Sequence, residues 1–133
     1  IIKMKLTSNF SKSEFECKSG EDMPLDVLEN VKLLAIQLQK IREYVGKPIR
    51  INSAYRSEAH NEAIGGVKTS QHILGKAADI TIDTFTPDEV VSIIENMLTN
   101  EMLGGFYIGG LGSYNTFTHI DIRDKKARWN FKK

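Results

Sequence analysis

The chain holds three histidines, and two of them stand in short strings that can do chemistry. In SQHILGKAADI, residues 70–80, His72 precedes Asp79 by seven positions with Gly75 between them. A glycine there lets the turn take a conformation closed to other residues, so both side chains can meet at one point. FTHIDIR, residues 117–123, adds His119 and Asp121 two positions apart. At that spacing in a strand both side chains point to one face. Two imidazoles, one carboxylate and an open fourth position form the pattern of a catalytic zinc site. Zinc there lowers the pKa of water to about 7 and polarises a carbonyl. A carboxylate nearby must move the proton, and Asp121 is the first candidate for that base. The same side chain can instead hold His119 by a hydrogen bond from behind.

Each residue also has an ordinary reading. His72 fits a surface or satisfied histidine, Asp79 a turn cap, and Asp121 an ion pair with Arg123 or a lysine across the sheet. His60 is a rival third ligand, but its place in an expected helix suits a structural or rim residue. Cys17 stands alone, so it offers neither an internal disulfide nor a four-thiolate zinc site, and it reads as a small, partly buried hydrophobe.

The elements that must position these residues can be read from pattern. Ser11 and Glu14 fit a capping box, which starts a short helix. Leu25, Leu28, Val31, Leu34, Leu38, Ile41 and Val45 recur at three and four positions, predicting a long helix over 24–45 that Gly46 and Pro48 stop. IRINSA, 49–54, alternates as a strand. SEAHNEAI, 57–64, reads as a short helix capped by Ser57 and ended by Gly65-Gly66. AADITI, 77–82, is a second strand, and Thr86 with Pro87 opens a helix to 100. GGFYIGG, 104–110, and FTHIDIR, 117–123, complete the strands. GGFYIGGLGSYN lacks the spacing of a phosphate cradle and reads as a hairpin and cleft wall, in which Tyr107 and Tyr114 either flank a substrate or simply pack. The basic tail DKKARWNFKK reads as a solvated end with Trp129 and Phe131 folded back. The sum is an α+β domain spanning 1–133, with a small, largely antiparallel sheet and flanking helices, which would put a zinc site on the sheet face if these residues hold one.

Composition narrows the function. The chain has 133 residues, 41% hydrophobic and 26% charged, which suits one soluble domain with one core. Eighteen basic and seventeen acidic residues leave a net charge of +1, too balanced to argue for nucleic acid. No run approaches the ~18 apolar residues of a membrane span, and no signal peptide is visible in IIKMKL. A monomer is the expectation for a small domain of this kind. No G-x-S-x-G nucleophile motif occurs.

INSAYRSEAHN, GGVKTSQHILGKAADI and FTHIDIR together resemble the M15 family of zinc peptidases, the D-alanyl-D-alanine carboxypeptidase, dipeptidase and endolysin group. The likeness is to its small bacterial and phage branch and, with NFSKSEFEC, runs across most of the chain. The string S-x-H-x-x-G-x-A-x-D carries the most specific part of it. The resemblance implies one zinc per chain held by His72, Asp79 and His119. It implies that Arg56 holds the substrate carboxylate or polarises the scissile carbonyl, and that Ser70 helps line the site. It further implies peptidoglycan stem peptides as substrate and a periplasmic, extracellular or phage-lysin setting. One position departs: many relatives carry an acid three residues before the last histidine, where this chain has Thr116. Asp121, or Glu62 or Asp83 reaching in, would then have to act as base. The rival expectation is a zinc-containing module that binds cell-wall peptide with little or no turnover, or a virion or secretion component with helper activity.

Overall fold

Alternation along five short strands divides the molecule into an apolar side and a polar side. The computed structural model describes residues 4–104 and 108–132. After a 3-10 turn at Lys12–Phe15 come α1 (Leu25–Val45), β1 (Ile49–Ser53), α2 (Glu58–Ala63), β2 (Ala77–Ile82), α3 (Pro87–Thr99), β3 (Gly110–Ser113), β4 (Thr118–Asp121) and β5 (Ala127–Asn130). The strands form one sheet in the order β1-β2-β4-β3-β5. β1 with β2, β2 with β4 and β3 with β4 pair antiparallel, while β5 lies parallel to β3. The expected α+β fold with a largely antiparallel sheet and flanking helices is the one observed, with a mixed edge added.

Ile49, Ile51, Ala78, Ile80, Ile82, Leu111 and Ile120 point to the buried core with Val31, Leu34, Leu38 and Ile41 of α1 and Val90, Ile94 and Met97 of α3. The apolar stripe of α1 begins at Val27 rather than Leu25, which is 82% exposed in the first turn. Gly46 ends α1 at φ 68°, its N–H bonding Arg42 O at 3.0 Å. α3 starts on a reciprocal cap: Glu89 N donates to Thr86 Oγ1 at 3.2 Å and Thr86 N to Glu89 Oε1 at 2.8 Å. It packs over β3 and β4. No helix among the described residues is long and apolar enough to cross a membrane.

Three expectations change. The strand expected at 104–110 is found at Gly110–Ser113, and residues 105–107 lie outside the described residues. Glycine supplies no hydrophobic alternation, so the pattern could not mark the strand's start. The strand at 117–123 is shorter, Thr118–Asp121. The tail is not merely folded back: Ala127–Asn130 pairs with β3, although Phe131 beyond it remains 61% exposed. Its charges hid a period-two pattern in which Trp129 joins the polar side and Arg128 turns to Glu95 of α3 at 2.8 Å.

Candidate metal centre

The polar side of the sheet carries a line of residues in register. Ser53 of β1 pairs with Asp79 of β2, Asp79 with His119 of β4, His119 with Gly112 of β3, and Gly112 with Trp129 of β5. The next line holds Ala77, Asp121, Gly110 and Ala127. The two glycines of β3 make room here. A Cβ on Gly110 would overlap the Asp121 carboxylate, and one on Gly112 would overlap the Trp129 indole.

His72 reaches this line from the turn before β2. Its carbonyl accepts from Arg56 N at 3.1 Å and Gly75 N at 3.2 Å, which pins the turn. Gly75 has φ 74° and presses on α1, where a Cβ would lie 2.7 Å from Val27 Cγ1. The sequence therefore needs glycine there both for its dihedral and for the close approach. Ser70 Oγ accepts from His72 N at 3.2 Å.

One donor atom each from His72, Asp79 and His119 lies within 4.8 Å of the others, and all three residues are buried. His72 Nδ1 sits 2.7 Å from Ala54 O. A carbonyl only accepts, so Nδ1 carries the hydrogen and the Nε2 lone pair faces Asp79 Oδ1 at 3.2 Å. His119 Nε2 lies 2.7 Å from Asp121 Oδ2, which likewise assigns the hydrogen to Nε2 and turns Nδ1 toward Asp79 Oδ1 at 3.1 Å. Two ring lone pairs thus converge on a carboxylate oxygen. Such a cluster of acceptors requires a cation, either protons on the rings or a metal ion. Two imidazoles and a carboxylate are the donor set zinc takes with one position left open, so the residues fit a single Zn2+.

Charge follows the same geometry. Burial pushes the Asp79 carboxyl up, but hydrogen bonds with His119 and His72 outweigh it and hold the group well below the usual carboxylate range. Burial likewise opposes charge on Asp121, and His119 and Arg123 overcome it. For His119 burial pulls the pKa down, and hydrogen bonds to Asp121 and Asp79 raise it above the ordinary value. Asp79 Oδ2 receives Arg56 Nη2 at 3.3 Å, leaving Oδ1 as the oxygen that faces both rings.

The centre forms the floor of a cleft of about 680 Å3. Gly65, Val67 and Gln71 contribute to one wall, and Tyr114, Phe117 and Trp129 to the other. Asn61, buried in α2, donates to Val67 O at 2.8 Å and accepts from Arg56 Nη1 at 3.3 Å, tying the first wall to the floor. On the second wall Tyr114 stacks on Phe117 at 4.4 Å and accepts a hydrogen bond from Trp129 Nε1 at 3.0 Å.

The residues singled out from sequence divide as follows. His72, Asp79, His119, Arg56, Ser70 and Tyr114 line the cleft. Tyr107 lies outside the described residues. Asp121 is 0% exposed and sits behind His119, accepting from Gly110 N, from Arg123 N and from the Arg123 side chain. Glu62, Asp83, Thr116 and His60 are not among the lining residues, of which Asp79 is the sole carboxylate among those described. Trp129 and Arg123 were missed as parts of the site. The signal available was that Trp129 is the only tryptophan in the chain and Arg123 follows His119 by four residues.

The family model described as Peptidase M15 matches residues 7–121. The zinc D-Ala-D-Ala carboxypeptidase of Streptomyces albus G is 33% identical over 85 residues, covering 63% of this chain and 32% of that protein. The chain thus spans about a third of the length of that relative.

Proposed function

The chain belongs to the Peptidase M15 family, and on that premise we propose that it is a zinc metallopeptidase acting on peptidoglycan stem peptides, as a D,D-carboxypeptidase or a murein endopeptidase. The observation that carries this reading is the convergence of His72 Nε2, Asp79 Oδ1 and His119 Nδ1 on the floor of an open cleft. His72, Asp79 and His119 would hold the zinc, which when bound would supply a Lewis acid able to polarise a carbonyl and activate water near neutral pH. The protein's own residues do the rest. Arg56, fixed by Ser53, Asn61 and Asp79, presents positive charge beside the triad, where a developing oxyanion or a substrate carboxylate is stabilised. The cleft walls hold an extended peptide against the floor. Ser70 keeps the His72 turn in place, and Asp121 orients His119. Peptidoglycan as substrate places the protein's work outside the cytoplasm.

Asp121 acts here as a positioning residue rather than the base, because its oxygens are occupied and no solvent reaches them. Asp121→Asn separates the two roles. A base would lose hydrolysis with zinc fully bound; a positioning residue loses zinc affinity and regains hydrolysis at saturating zinc.

A second reading has one observation in its favour: Asp79 is the sole carboxylate among the described residues lining the cleft. A cleft without a free acid suits a zinc-containing module that binds cell-wall peptide with little turnover. Incubation with muropeptides, with added zinc or with chelator, decides between them by mass spectrometry of the products. A zinc-dependent product supports the peptidase, and its mass identifies the bond. No product with one zinc per chain supports the binding module.

A further inference from the structure

Two arginines line the cleft, and they are not equivalent. All three nitrogens of the Arg56 guanidinium are engaged: Nε with Ser53 Oγ, Nη1 with Asn61 Oδ1 and Nη2 with Asp79 Oδ2, each at 3.3 Å. Its side chain is 15% exposed. Arg123 is held along one edge only. Its Nε lies 2.9 Å and its Nη2 2.6 Å from the Asp121 carboxylate. Its Nη1 makes no hydrogen bond among the described residues, and the side chain is 31% exposed. The guanidinium rests 5.3 Å from the centroid of the Trp129 ring. Asp121 and Trp129 therefore fix the plane of the group, while its Nη1 edge has no partner among the described residues, in a residue that lines the cleft.

We infer that Arg123 receives a carboxylate of the bound peptide through Nη1. This rests on the reading of the cleft as a peptide site, and it adds a recognition residue from outside the stretch that matches the family, which ends at residue 121. A guanidinium held by packing loses little side-chain freedom on binding, and its bond to an anion is charge-assisted. Asp121 already offsets part of the positive charge, so the edge suits a single carboxylate better than a multiply charged group. No other described carboxylate in the cleft competes for it, since Asp79 is turned to the two rings. Asp121 bridges Arg123 to His119, which links the recognition group to one of the candidate metal ligands.

The single tryptophan reads the site directly, because the Trp129 ring lies 5.1 Å from that of His119. Zinc-loaded protein is titrated with N-acetyl-D-alanine and with N-acetyl-D-alaninamide while Trp129 fluorescence is followed. The carboxylate should bind about tenfold or more tighter than the amide. Arg123→Lys should reduce that preference to within about twofold with zinc still at one per chain. A wild type without preference overturns the assignment. So does a preference that survives in R123K, because the carboxylate then sits on the metal or on Arg56. A variant-free measurement covers misfolding of R123K. Saturating N-acetyl-D-alanine, but not the amide, should protect Arg123 from phenylglyoxal in wild-type protein, as mapped by mass spectrometry. Equal modification with and without the carboxylate overturns the proposal. Carboxylate preference without muropeptide hydrolysis would sink the peptidase reading alone; hydrolysis without preference would sink the Arg123 assignment alone.

Discussion

The two faces of the sheet are made from the same few residues taken alternately, yet they are built on opposite principles. On one face Ile80 and Ile120 sit in a core of packed apolar side chains. On the other, their chain neighbours Asp79, His119 and Asp121 are also buried but gather charge and lone pairs. β3 shows the contrast most plainly: Leu111 fills the core, while Gly110 and Gly112 on either side of it leave space for the Asp121 carboxylate and the Trp129 indole. The core face is held by shape, which neighbouring atoms can partly restore after a change. The metal face is held by valence, and a missing ligand has no substitute.

Substitutions on the two faces should therefore fail differently. The largest effect is expected for His119→Ala: loss of zinc binding at any practical concentration and loss of hydrolysis, with the fold retained. Equilibrium dialysis with metal analysis and circular dichroism check it, and full zinc occupancy in the variant would refute the site. Ile120→Ala, one residue away on the core face, should cost about 2–5 kcal/mol in denaturant unfolding while zinc stoichiometry stays at one. Gly112→Ala lies between the two faces in character. Its Cβ must displace the Trp129 ring, at a cost of about 1–3 kcal/mol together with a shifted tryptophan emission. An unchanged spectrum would show that the indole does not lie over Gly112. Asp121→Asn should weaken zinc by about 10–100-fold, because it loosens His119 without removing a ligand.

The smallest effect concerns pH in the chelator-treated protein. Asp79 and Asp121 have lowered pKa values in the fold, so their contribution is complete above the unfolded value of about 3.9 and is lost as pH falls through the folded values. His119 is raised, so its contribution is complete below about 6.5 and is lost as pH rises through the folded value. Metal-free protein should be most stable between these limits in thermal melts. With zinc the high-pH loss should flatten, because the rings are then held deprotonated by coordination. Identical profiles with and without zinc would count against coordination by His119.

Local signals carried much of the architecture. Thr86-Pro87 and Glu89 mark the start of α3, Gly46 the end of α1, and the apolar residues of AADITI the strand β2, because caps and short-range periodicity act within a few residues. β5 was not legible. Four residues in a basic tail become a strand only because β3 offers them an edge, and nothing within DKKARWNFKK records that edge. The site divides in the same way. The strings around His72, Asp79 and His119 identify candidate ligands from type and spacing, and the i, i+2 rule puts Asp121 on the face of His119.

By itself, then, the sequence determined which side chains are able to hold a metal and which stretches must be helix or strand, since those properties reside in residue type and near neighbours. Only the tertiary structure decided which nitrogen of each histidine points inward, because Ala54 and Asp121 claim the other nitrogen from distant or facing positions. It also decided that Asp121 is enclosed by Arg123 and Gly110, and that of two arginines Arg123 keeps an edge without a partner among the described residues. Hydrogen-bond satisfaction in a buried cluster depends on every group that packs around it, and cross-strand register brings those groups together from residues 53 to 129.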